Sequence, residues 1–98
     1  MKKRFEYYRV PSTYRVPNKG RPSVIDLHRY ERGKGFLMDL FNIGSPRSKG
    51  GCTICDLTIN GNTYTASAFC SHSDNFCYRR GRDISLGRAM KLYNEETQ

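Results

Sequence analysis

The octapeptide Leu57-Thr58-Ile59-Asn60-Gly61-Asn62-Thr63-Tyr64 sets two apolar-and-threonine runs on either side of an Asn-Gly pair. Asn followed by Gly readily accepts positive φ at two successive positions, so Asn60-Gly61 marks a type I′ turn between antiparallel strands. A two-residue loop sets the register outward from it: Ile59 faces Asn62, Leu57 faces Tyr64, Cys55 faces Ala66 and Thr53 faces Ala68. Side chains alternate across a strand. One face of the pair therefore carries Leu57, Ile59, Tyr64, Ala66 and Ala68 and packs inward. The other carries Asp56, Thr58, Thr63 and Thr65 and suits solvent. Strands are expected over 52–59 and 62–69.

Downstream of the hairpin the pattern becomes helical. Ser71 or Ser73 is placed to cap a first helical stretch over 74–80, with Asp74 in the first turn, where a negative charge suits the helix dipole. Gly81 reads as a terminator or kink. A second stretch over 83–93 puts Leu86, Ala89 or Met90, and Tyr93 on one stripe. The polar end, 94–98, is expected to fray.

Upstream, residues 24–30 and 36–43 are apolar-rich and separated by the glycine-bearing loop Glu31-Arg32-Gly33-Lys34-Gly35, which predicts two further antiparallel strands. A short helix over 36–43 fits the same run, because eight apolar residues do not settle their own period. Residues 44–51 (Gly44-Ser45-Pro46-Arg47-Ser48-Lys49-Gly50-Gly51) read as loop. At the start of the chain, Tyr8-Arg9-Val10-Pro11 is echoed by Tyr14-Arg15-Val16-Pro17. Proline excludes helix here and extends the residue before it, so 1–22 reads as an edge strand near 5–10 followed by an extended arm. The expected fold class is α+β: one domain over 1–98 with an antiparallel β-meander of four to five strands. A C-terminal helical segment over 71–93 packs on one face, and 23–70 is the β-rich part.

Composition narrows the functional classes. The chain has 98 residues, which leaves little room for a deep catalytic cleft. Its net charge of +8 is confined to the first half: residues 1–50 hold twelve Lys/Arg against four Asp/Glu, and 51–98 hold five of each. A field this lopsided draws phosphate backbones or acidic protein faces. No apolar run reaches membrane-span length, and Met1-Lys2-Lys3-Arg4-Phe5 has no apolar stretch behind it, so a cytoplasmic setting without membrane contact is expected. Thiols in that setting stay reduced.

The candidate binding residues are Arg4, Tyr8, Arg9, Tyr14, Arg15, Lys19 and Arg21 in the leading segment, where cations interleave with flat rings. Cations neutralise phosphates and rings stack on bases, so the pattern suits DNA or RNA. It equally suits strand addition to an acidic protein groove, or a half-buried strand whose charges are merely solvated. Arg79, Arg80, Arg82 and Arg88 form a second basic group, which would extend the first if the two were adjacent. Cys52-x2-Cys55 has the spacing of a zinc knuckle, with Cys70, His72 and Cys77 following as further ligands. Against zinc, residues three apart on a strand point to opposite faces, and buried thiols commonly act as small hydrophobes. No cofactor and no catalytic residue is expected, since no phosphate-binding, dinucleotide or metalloprotease motif occurs.

The segment Ser73-Asp74-Asn75-Phe76 followed by Gly81-Arg82-Asp83-Ile84-Ser85-Leu86-Gly87-Arg88-Ala89 resembles the C-terminal pattern of small uncharacterised phage and prophage proteins. In these a β-hairpin leads into D-x-F and then a G-R-x-I-x-x-G-R-A helix. Phe76, Ile84 and Ala89 match the apolar positions, and Gly81-Arg82 and Gly87-Arg88 match the paired Gly-Arg steps. The likeness covers about the last thirty residues. By analogy it implies a non-enzymatic accessory protein in a host bacterial cytoplasm. Such a protein would occupy and inhibit a host nucleic-acid-handling complex, as an anti-CRISPR or other anti-defence inhibitor does. The alternatives are a direct DNA- or RNA-binding regulator and a zinc-stapled binding module.

Overall fold

A computed structural model of the chain describes residues 1–17, 19–30 and 44–97. At its centre is the hairpin expected from Asn60-Gly61. Their φ angles are 52° and 82°, and the register is the one set by a two-residue loop, Ile59↔Asn62 through Thr53↔Ala68. Both strands run further than the local pattern indicates. The first is Pro46–Ile59 and the second Asn62–Asn75.

The strands are numbered along the chain: β1 is Lys2–Pro11, β2 His28–Tyr30, β3 Pro46–Ile59 and β4 Asn62–Asn75. All pairs are antiparallel, and the sheet order is β2-β1-β3-β4. The order differs from that of a simple meander at one place, since β1 lies between β2 and β3. The leading segment is therefore neither a free arm nor an edge strand over Tyr7–Arg9. β1 pairs there with β3 on one side (Tyr7↔Thr53) and with β2 on the other (Tyr7↔Tyr30). The long β3 offers hydrogen bonds along most of its length, and a strand with alternating polarity takes them up. After Pro11 the chain turns, with Tyr14 N–H bonded to Pro11 O at 3.0 Å. It later meets β4, where Gly20 O accepts His72 N–H at 2.9 Å.

Two further expectations change, and a third falls on residues the structure does not describe. Residues 24–26 form a 3-10 turn, and only His28–Tyr30 is strand, paired with β1. The strand or helix expected over 36–43 lies outside the described residues. The expected loop at 44–51 is mostly β3. Its glycines build an irregularity, with Gly50 at φ +80° and the pairing shifting between Lys49↔Asn75 and Gly51↔Cys70. There 71–74 of β4 stand opposite Gly50 alone and form a bulge.

One helix, α1 (Tyr78–Glu96), replaces the two expected stretches. Ser71 and Ser73 belong to β4 and bond to each other at 2.9 Å, so neither caps it. Gly81 does not stop the helix: its N–H reaches Cys77 O at 3.0 Å. A side chain at 81 would overlap Thr53 Oγ1, so the glycine is what lets helix and sheet approach closely. The expected apolar stripe faces the sheet. Ala89 packs with Cys55, Leu57 and Tyr64, flanked by Phe5, Ile59, Ala66, Leu86, Met90 and Tyr93. Among the described residues, no helix is long and apolar enough to cross a membrane.

Candidate nucleic-acid interface

Strand parity sorts the basic residues onto two sides of the sheet. Alternate residues of β1 from Phe5 through Arg9 face α1. Lys2, Arg4, Glu6 and Tyr8 face the other way, across from Thr58, Asp56, Ile54 and Cys52 of β3. Arg29 of β2 pairs with Tyr8 and joins that side. Among the described residues no α-helix lies over this second face.

Two depressions mark the uncovered face. Lys2, Arg4, Asp56, Thr58 and Thr63 line a shallow one of about 220 Å³. The other, about 300 Å³, is lined by Tyr8, Cys52, Ile54 and Phe69 of the sheet with Val24 of the 3-10 turn and Leu27 just after it. Arg21 lies with its guanidinium carbon 4.0 Å from the centre of the Phe69 ring, a distance at which cation and ring attract.

The carboxylates of this face are already engaged. Tyr8 donates its hydroxyl to Glu6 at 2.8 Å, which holds the Tyr8 proton and, with some burial, raises its pKa above 10.0. Arg4 sits 3.5 Å from the same carboxylate, but its side chain is 61% exposed, so this pair contributes little and leaves its charge accessible. Thr65 donates to Asp56 at 2.7 Å. Lys2, Arg21 and Arg29 are exposed and form no ion pair among the described residues.

The expected binding residues thus divide. Arg4, Tyr8 and Arg21 come together on the uncovered face. Arg15 and Lys19 are exposed on the segment that follows β1. Tyr14 bonds His28 Nε2 at 2.8 Å and meets its ring edge-on. Arg9 corrects the expectation. It is 7% exposed, donates to Arg47 O at 2.7 Å and Tyr78 Oη at 3.0 Å, and lies over the Phe76 ring at 4.3 Å. Its parity turns it to the helix side, where it joins β1 to α1 and is withdrawn from any partner.

The helix cations stand on the far side of the sheet, so the two basic groups do not merge. Arg79 and Arg80 are exposed, Arg82 reaches Tyr7 Oη at 3.4 Å, and Arg88 donates to Ser67 O at 2.7 Å. Sequence reasoning missed Arg29, Ile54 and Phe69 as members of this candidate interface. Continuing the hairpin register past Asp56↔Thr65 would have found Ile54 at the next same-face pair, opposite Ser67, and Phe69 at the one after it, opposite Cys52.

The cysteines do not converge as a knuckle. Cys52 faces the uncovered side, while Cys55 lies in the core beneath α1, and burial pushes both thiols above 9.0. Cys70 and Cys77 line a small cleft of about 120 Å³ beside the first turn of α1. The Cys70 thiol points to the carbonyls of Asp74 and Asn75, at 3.3 and 3.5 Å. His72 is buried in the bulge, and its Nδ1 has no hydrogen-bond partner among the described residues. Among those residues no three His, Cys, Asp or Glu side chains gather to hold a metal ion. Compared with known protein families, curated proteins and solved structures, the chain matches none.

Proposed function

We propose that this protein is a non-enzymatic binding module whose uncovered sheet face takes the phosphate backbone of nucleic acid. The observation that carries the reading is the gathering of Lys2, Arg4, Arg21 and Arg29 with the rings of Tyr8 and Phe69 on one face. Four cations on single-stranded nucleic acid correspond to a slope of log K against log salt of about −2.8. Fluorescence anisotropy with a labelled oligonucleotide at rising salt tests this. The combined variant Lys2→Gln, Arg4→Gln, Arg21→Gln, Arg29→Gln is expected to abolish most binding. Affinity that ignores both salt and these substitutions overturns the reading.

One observation favours a second reading, a phage-type accessory protein that inhibits a host nucleic-acid-handling complex through the same face. Val24 and Ile25 are 77% and 84% exposed beside the larger depression, and a phosphate backbone has no use for them. Under this reading one bacterial protein co-purifies regardless of nuclease treatment, and Ile25→Asp abolishes its recovery. Recovery of nuclease-sensitive material alone rejects it.

A further inference from the structure

We infer that the depression between the 24–27 segment and the sheet receives an unpaired base, which makes the protein selective for single strands. The inference rests on the proposed nucleic-acid reading and names the ligand more closely.

The walls are the argument. Ile54 and Cys52 of β3 lie between Tyr8 of β1 and Phe69 of β4, with Val24 and Leu27 closing the remaining side. The site is therefore apolar, contains two rings, and measures about 300 Å³, at the lower end of the range for small-ligand pockets. A base is a flat apolar body with a polar edge, and such a body gains from aromatic walls whatever its sequence identity.

The rim separates a base from other apolar occupants. Arg21 stacks on Phe69, and Arg29 stands across from Tyr8, so cations flank the depression at two walls. Arg4 lies four residues from Tyr8 on the same face of β1, about 13 Å away. An occupant that carries negative charge on both sides of a flat apolar group fits this arrangement, and a nucleotide within a strand is such an occupant. A second copy of this chain would bring its own net charge of +8 to the same rim and be repelled. A paired base is stacked within its helix and must be unstacked to enter.

The test uses the full chain and three fluorescent ligands of equal length: an oligothymidine, the same backbone with abasic spacers, and a duplex. The oligothymidine is expected to bind about tenfold more tightly than the abasic strand, the weight of one base–ring stack. The duplex should bind no better than the abasic strand at equal charge. Phe69→Leu keeps the wall apolar and removes the ring. It should bring the thymidine-to-abasic ratio below about threefold while leaving the salt slope unchanged. Val24→Ala combined with Leu27→Ala opens the opposite wall and should lower the same ratio if Phe69→Leu does not fold. Equal binding of thymidine and abasic strands overturns the base site and leaves the backbone reading standing. Binding of neither strand removes both. A glutamate-rich peptide bearing one Phe that binds wild type, and loses that binding in Phe69→Leu while the two strands bind alike, assigns the depression to a protein partner and overturns the inference.

Discussion

Replacing Gly81 by alanine isolates the contact that seats α1 on the sheet. In a solvated helix interior this change stabilises by about 1 kcal/mol, because glycine loses the most backbone freedom on folding. Gly87 provides that reference on the same helix, since a Cβ there meets nothing within 4 Å. At Gly81 the added carbon overlaps Thr53 Oγ1 and lies 3.0 Å from Thr53 Cβ. Thr53 is fully buried in β3 and cannot swing aside. Overpacking of this kind costs about 1–3 kcal/mol, so the two glycine-to-alanine changes should differ by about 2 kcal/mol. At the urea sensitivity of a small domain, that separates their unfolding midpoints by about 1–2 M. Gly87→Ala moves the midpoint up, and Gly81→Ala leaves it unchanged or moves it down. Thr53→Ala removes Oγ1 and should restore part of the loss in the double variant, which a thermodynamic cycle measures as a favourable interaction energy. Equal midpoint shifts for Gly81→Ala and Gly87→Ala would refute the close-approach argument.

Other outcomes follow from the same geometry. Arg9→Ala is expected to lower stability by about 3 kcal/mol, because the guanidinium's hydrogen bonds and its stack on Phe76 are lost inside the fold. Chemical denaturation measures it, and an unchanged midpoint together with weakened nucleic-acid binding would return Arg9 to the interface. Burial raises the thiols of Cys52, Cys55 and Cys70 above 9.0 in the folded state. Above about pH 9 the unfolded chain therefore binds fewer protons than the folded one, and stability falls as pH rises, while below about pH 7 both states keep these protons and the contribution is flat. Urea midpoints at pH 7.5 and 9.5 should show the fall, and Cys55→Ala should reduce it. Chelation with EDTA is expected to leave the thermal midpoint unchanged, because Cys52 and Cys55 face opposite sides of β3. A drop of several degrees would show a metal that joins them.

The turn and register of the central hairpin were legible because they depend on neighbours in the chain. Asn60 and Gly61 tolerate positive φ, and period-two alternation then aligns Leu57 with Tyr64 without help from elsewhere. The stripe of Leu86, Ala89, Met90 and Tyr93 was legible for the same reason. Gly81 misled because a glycine within a helical pattern signals a stop unless something packs against it, and Thr53 is 28 positions away. Pro46 through Gly51 misled similarly: their composition is that of a loop, and only pairing with β4 and β1 makes them strand.

The hairpin, the helix stripe, the α+β class and the excess of cations in the first half all follow from local patterns along the chain. Which of those cations are presented depends on packing between distant segments. Neighbours on β1 point to opposite faces, and α1 covers one of them. Arg4 and Arg9, alike in the linear pattern, therefore end on different sides, one in solvent and one beneath the helix. Likewise Ile54, Phe69 and Arg21 meet only because a 3-10 turn, two paired strands and a connecting segment converge at one place. That convergence is set by long-range packing, and no local rule contains it.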